Sequence, residues 1–136
     1  MRRESTMTRT GGCTCGQVRY ELDGEPARVG LCHCETCRKF TGSAFSHYGV
    51  WNRGKVRISG ETGCWTVRAG GDRFCRTCGA ALFTWVDGED EIEVKLGTLD
   101  GPPNGLEPQY ELWTIRREPW LPPREGAEQW ERDRTG

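Results

Sequence analysis

The chain has 136 residues, 35% of them hydrophobic and 29% charged, which suits one domain with a modest core. Its formal net charge of -1 gives no general attraction to nucleic acid or to an anionic membrane. No apolar run approaches the roughly 18 residues of a membrane span, so no membrane helix is expected.

Residues 1–10 are polar and aperiodic and are expected to form a flexible extension, with Met7 as an alternative start. Arg2 and Arg3 resemble the beginning of a targeting signal, but no hydrophobic stretch follows them. A cytoplasmic, reducing compartment is therefore expected. There, spaced cysteine pairs more often bind metal than join as disulfides.

The folded unit is expected over residues 11–121, where apolar residues alternate in short runs. Val18, Tyr20 and Leu22 share one strand face, and Val56 and Ile58 another. Ala81, Phe83 and Trp85 alternate, as do Ile92, Val94 and Leu96, and then Tyr110, Leu112 and Thr114. A period of two, bounded by Gly, Pro, Asp and Asn, predicts strands. Only Glu35 to Thr41 offers a short helical turn. The predicted class is mostly β, with small antiparallel sheets. From residue 122 a Pro-Pro step leads into charged residues, predicting a flexible tail over 122–136.

The eight cysteines are unevenly placed. Cys13 and Cys15 form C-x-C, and Cys75 and Cys78 form C-x-x-C followed by Gly79. In a strand, residues i and i+2 face the same side, so C-x-C can present two thiolates to one ion. A C-x-x-C turn gathers two sulfurs around one point, and the glycine relaxes the backbone there. These four make a closed, tetrahedral structural zinc set that staples distant parts of the chain. A redox C-x-x-C usually opens a helix, whereas this one precedes the apolar strand Ala80 to Phe83.

Cys32, Cys34 and Cys37 form C-x-C-x-x-C, with no fourth ligand nearby in sequence. Three protein ligands and an open position mark a catalytic zinc. Cys64 stands alone, either as a small buried apolar residue or as the fourth ligand that would close this site. His33 alternates away from the metal and reads as a supporting or solvent-facing residue. His47, in the predicted strand Phe45 to Val50, is a weak candidate for proton transfer. Arg38 and Lys39 are either solvated charge or a positive rim for an anionic substrate. Trp51, Trp65, Trp85 and Trp113 read as core or sheet cover before they read as a substrate pocket.

Three segments carry a resemblance: Gly12 to Tyr20, Cys32 to Lys39 with Thr41-Gly42, and Arg73 to Gly79. Together with Gly97 to Asp100 and Pro119-Trp120, they resemble the glutathione-dependent formaldehyde-activating (centromere-protein-V) family. The resemblance implies an Mss4-like fold of small sheets around two Zn²⁺ per chain. Cys13, Cys15, Cys75 and Cys78 would hold the structural zinc, and Cys32, Cys34 and Cys37 the catalytic one. It also implies a carbon-sulfur lyase joining glutathione and formaldehyde as S-hydroxymethylglutathione. Glu111 stands where members of the family often carry His. A thiolate-rich zinc favours holding a substrate thiolate over making hydroxide, which agrees with thiol-plus-aldehyde chemistry. The competing expectation is a non-enzymatic, zinc-stapled binding module.

Overall fold

The computed structural model describes residues 7–65 and 71–135. Arg2, Arg3 and the rest of residues 1–6 lie outside the described residues.

The chain opens with β1 (Thr8–Gly12), β2 (Arg19–Asp23) and β3 (Arg28–Cys32), followed by helix α1 (Glu35–Thr41). Then come β4 (Ser46–Asn52), β5 (Val56–Ser59), β6 (Thr62–Trp65), β7 (Asp72–Cys75) and β8 (Ala81–Thr84). β9 (Glu91–Lys95), β10 (Tyr110–Leu112) and β11 (Glu128–Gln129) complete the described elements. The mostly β expectation holds.

The strands form a three-stranded antiparallel sheet, β1-β2-β5, and a larger sheet ordered β11-β10-β3-β4-β9-β8-β7-β6. The larger sheet is mixed, because β10 runs parallel to both β3 and β11. The main core lies between the sheets. Val18, Tyr20, Leu22 and Val56 pack there with Trp51, Leu82, Phe83, Ile92 and Val94. Each such side chain stabilises the fold by roughly 1.5–3 kcal/mol on full burial. The alternation in β2 and β9 arises because only one of their faces meets this core.

β4 is buried on both faces. Trp51 enters the main core, while Tyr48 and Val50 join a second cluster with Cys32, Cys34 and Tyr110. α1 covers that second face. Gly30 of β3 is pinned beneath it, because a Cβ there would lie 2.6 Å from the Tyr110 ring and 3.0 Å from the Tyr48 hydroxyl. Gly30→Ala is therefore expected to cost about 1–3 kcal/mol by overpacking, read as a lower urea midpoint at unchanged slope.

Structure extends past both expected boundaries. β1 begins at Thr8, inside the expected extension, and pairs with β2 along its length. The expected tail contributes β11, and Trp130 packs on the second cluster. Backbone bonds tie it down: Trp130 N–H donates to the Glu111 carbonyl at 2.9 Å, and Thr114 N–H to the Trp130 carbonyl at 3.1 Å. Trp113 holds a left-handed backbone (φ 57°), with its indole N–H on Asp133 Oδ1 at 2.9 Å. The charged composition hid this pairing because it runs through main-chain groups, which carry no sequence signal.

Candidate metal centres

Cys13, Cys15, Cys75 and Cys78 converge, with all four sulfurs within 4.8 Å of one another. Cys13 and Cys15 do not lie in a strand, as the spacing suggested. They follow β1 in a turn where Gly16 N–H donates to the Cys13 carbonyl at 3.2 Å. The turn delivers the second sulfur that strand alternation was expected to deliver. Cys75 ends β7, and Cys78 lies in the turn before β8, which Gly79 closes with φ 81°.

The Sγ separations Cys13–Cys15 and Cys15–Cys75 are 3.6 and 3.7 Å. A tetrahedral site with Zn–S bonds near 2.3 Å has sulfur edges of about 3.8 Å. Backbone N–H groups already point at the sulfurs. Val18 donates to Cys13 at 3.2 Å, and Thr77 and Cys78 donate to Cys75 at 3.3 and 3.4 Å. The thiols split in acidity. The Ala80 and Cys15 amides pull Cys78 down to about 6. The Gln17 amide favours the Cys15 thiolate, but desolvation and the three neighbouring sulfurs outweigh it and push Cys15 up to about 11. Burial opposes ionisation of Cys13, yet the Val18 amide and the Cys75 and Cys15 thiols lower it overall. Four thiols that cannot all ionise alone suit a site completed by a cation.

The second cluster joins Cys32, at the end of β3, to Cys34 and Cys37. Cys34 caps α1, and its sulfur accepts the Cys37 N–H at 3.2 Å. The Cys34 and Cys37 sulfurs lie 3.0 Å apart, and all three are within 4.8 Å. Cys32 and Cys34 are buried, whereas Cys37 is half-buried and leaves the cluster open on its side. The neighbouring Cys34 thiol raises Cys32 to about 12, and Cys32 and Cys34 with burial raise Cys37 further. Both clusters can hold a metal ion.

Cys64 is neither buried nor a fourth donor. It is exposed on β6 at the far edge of the large sheet, and the cluster has three cysteines among the described residues. Its sulfur is not among those that converge with Cys32, Cys34 and Cys37. His47 projects on the face opposite Ser46 and Tyr48, with Nε2 2.9 Å from the Leu106 carbonyl. Burial lowers its pKa, and it ties a loop rather than serving the cluster.

His33 points inward instead of to solvent. It is buried, with Nε2 2.7 Å from Glu111 Oε1. Glu111, also buried, accepts the Arg124 N–H at 2.7 Å and the Gln129 Nε2 at 3.0 Å. Burial works against its charge, but the Arg124 amide, Gln129 and His33 hold its carboxyl below the usual carboxylate value. Sequence flagged Glu111 only as a departure. Nothing in the spacing of 78 residues announces the pair.

Two clefts flank α1. One, about 610 Å³, is lined by Arg38, Lys39, Ser43 and Arg116. There Arg38 donates to the Arg116 carbonyl at 3.0 Å and pairs with Glu118, while Lys39 is largely exposed beside Glu35. The other, about 480 Å³, is lined by Phe40, Phe74 and Trp65 with Thr36, Lys39 and Asp72. Of Trp51, Trp65, Trp85 and Trp113, Trp51 is core and Trp85 lies between Arg53 and Arg73, 4.3 and 4.4 Å from its ring. Trp65 alone of them is strongly exposed.

The family profile described as glutathione-dependent formaldehyde-activating enzyme matches residues 8–116. A curated relative, an uncharacterized lyase of Schizosaccharomyces pombe, is 26% identical over 96 residues, spanning 69% of this chain and 70% of that protein. A crystal structure of a Rhodobacter sphaeroides protein is 22% identical and covers 89% of this chain and 98% of its own, with a TM-score of 0.54. That last likeness concerns the fold.

Proposed function

We propose, from the premise that this chain belongs to the glutathione-dependent formaldehyde-activating enzyme family, that it is a zinc-dependent carbon-sulfur lyase. Its substrates would be a small thiol such as glutathione and formaldehyde or another small aldehyde. The observation that carries this reading is the three-cysteine cluster, open at Cys37 and set on a helix between two clefts. The name of the fission-yeast relative as a lyase supports the reaction class.

Cys13, Cys15, Cys75 and Cys78 would hold a structural zinc, and Cys32, Cys34 and Cys37 a catalytic one. Zinc in the three-cysteine site supplies a soft cation that favours the thiolate form of a substrate thiol. The protein's own residues do the rest. Lys39, Arg38 and Arg116 meet the carboxylates of glutathione, placing its sulfur beside the cluster. The sulfur adds to the carbonyl carbon, forming the C–S bond as the C=O π pair moves to oxygen. The proton lost from sulfur ends on that oxygen, so atoms and charge balance without a redox partner. Reversal of these steps is the lyase direction. This reading goes with a reducing, cytoplasmic setting, where thiols stay reduced and available to a metal ion.

The test is exchange NMR of glutathione with formaldehyde on the zinc-loaded chain. Wild type is expected to speed exchange, and Cys37→Ser to return it to the uncatalysed rate while keeping the fold. Arg38→Ala and Lys39→Ala are each expected to weaken glutathione binding up to about fivefold, less at high salt, as for exposed charge pairs. Unchanged affinity in both would remove them from the thiol site. No acceleration by wild type moves the protein to the binding-module reading.

A further inference from the structure

We propose that the cleft between α1 and the β6–β7 edge receives an apolar, aryl-sized substituent of the aldehyde. The substrate class would then be aromatic or similarly bulky apolar aldehydes and their thiol adducts. This rests on the thiol–aldehyde reading above.

The location comes first. Glu35 and Thr36 line this cleft and lie in sequence between the ligands Cys34 and Cys37. The cleft therefore runs along the same helix that carries the three-cysteine cluster, although no cluster cysteine lines it.

Size comes second. The cleft measures about 480 Å³. A water molecule takes roughly 30 Å³, and formaldehyde has just one more heavy atom. Formaldehyde would leave most of the space unfilled, whereas an aryl ring with its linker fills a substantial part.

Chemistry comes third. The walls are Phe40 on α1, Phe74 on β7 and Trp65 on β6, the last 65% exposed. The cleft's charged lining, Glu35, Lys39 and Asp72, carries no net positive charge to attract a carboxylate. Lys39 pairs with Glu35 at 3.3 Å, and Asp72 accepts from the Thr84 hydroxyl at 2.9 Å. Glutathione, with two carboxylates, has better partners in the opposite cleft, where Arg38 and Arg116 add positive charge. The two sides of α1 thus divide the adduct. The peptide part takes the basic side and the aldehyde's substituent takes the aromatic side.

The test uses unreactive thioethers on the zinc-loaded full chain, with calorimetry as the readout. S-benzylglutathione carries the S–CH₂–aryl skeleton of such an adduct, and S-methylglutathione lacks the ring. S-benzylglutathione is expected to bind at least about tenfold tighter, the return for burying a ring of that size. Trp65→Ala, at an exposed position, and Phe74→Ala are each expected to cut the ratio to about threefold or less. Both should leave S-methylglutathione affinity within about twofold. Equal affinities in wild type, or a ratio that survives both variants, would overturn the proposal. If the tenfold ratio holds but exchange is not accelerated, the enzymatic reading falls and the apolar cleft stands. Acceleration without the ratio removes the cleft assignment and leaves the reaction.

Discussion

Cys75→Ser is expected to abolish the cooperative fold, and Cys34→Ser to leave it intact with about one metal per chain. The contrast follows from where each cluster sits in the topology. Cys75 is fully buried in the main core and accepts two backbone N–H groups. Its cluster ties the turn after β1 to the turn between β7 and β8, two parts that belong to different sheets. Four-cysteine zinc contributes roughly 10–16 kcal/mol in zinc-finger peptides. A whole domain is stable by only about 5–15 kcal/mol. Losing a ligand therefore removes a contribution as large as the net stability, and leaves unpaired polar groups in a packed core. The second cluster lies within one strand end and one helical turn, so it cross-links little. Far-UV circular dichroism, urea titration and metal content by a colorimetric chelator check this together. A Cys75→Ser chain whose urea midpoint matches wild type would falsify the staple.

The parts of this fold that sequence revealed are those in which one strand face alone meets the core. β2 and β9 show Val18-Tyr20-Leu22 and Ile92-Val94 because their other faces are solvated or polar. β4 spreads Tyr48, Val50 and Trp51 over two cores, which blurs its period. β11 has no apolar pattern, since it is held by main-chain pairing with β10 and by Trp130. The cysteine clusters were legible for a local reason: turns bring near neighbours together, and two near pairs complete a tetrahedron. The apolar cleft beside α1 was not legible. Trp65 and Phe74 reach α1 only because the large sheet carries its β6–β7 edge there. Cys64, on the same strand as Trp65, is exposed where its small apolar side chain suggested burial, because β6 is the edge strand of the large sheet.

The other large effect concerns the buried His33–Glu111 hydrogen bond beside the ligands Cys32 and Cys34. Glu111→Ala is expected to cost roughly 3–5 kcal/mol, the usual penalty for removing one partner of a buried pair. The carboxylate meets four partners at once: His33, the Arg124 amide, the Gln129 side chain and, at 3.5 Å, Arg117. Deleting it leaves the buried His33 Nε2 without its partner, a loss of about 1–3 kcal/mol, and takes an acceptor from the Arg124 amide and from Gln129, which keeps the Ala127 carbonyl. The consequence reaches the cluster because His33 lies between Cys32 and Cys34, and Glu111 sits opposite Leu31 in the β3–β10 register. The Arg124 and Gln129 bonds also hold the segment that carries Trp130 onto the same core. Glu111→Ala should therefore speed metal release from the three-cysteine site more than from the four-cysteine site, read with a competing chelator. Glu111→Gln should fall between, since its amide accepts through one oxygen only. Glu111→His can accept at one ring nitrogen and should satisfy no more than one donor. The pH dependence has a definite sign. The Glu111 carboxyl is held below its ordinary value of 4.5, so its contribution is present above that pH. It is lost as pH falls through the lowered folded value. Wild-type stability should decline on acidification below about 4.5, and Glu111→Gln should flatten that part of the curve. Equal slopes in the two proteins would show that the acid loss comes from other carboxylates, and that Glu111 is not the group linking the C-terminal segment to the ligand strand.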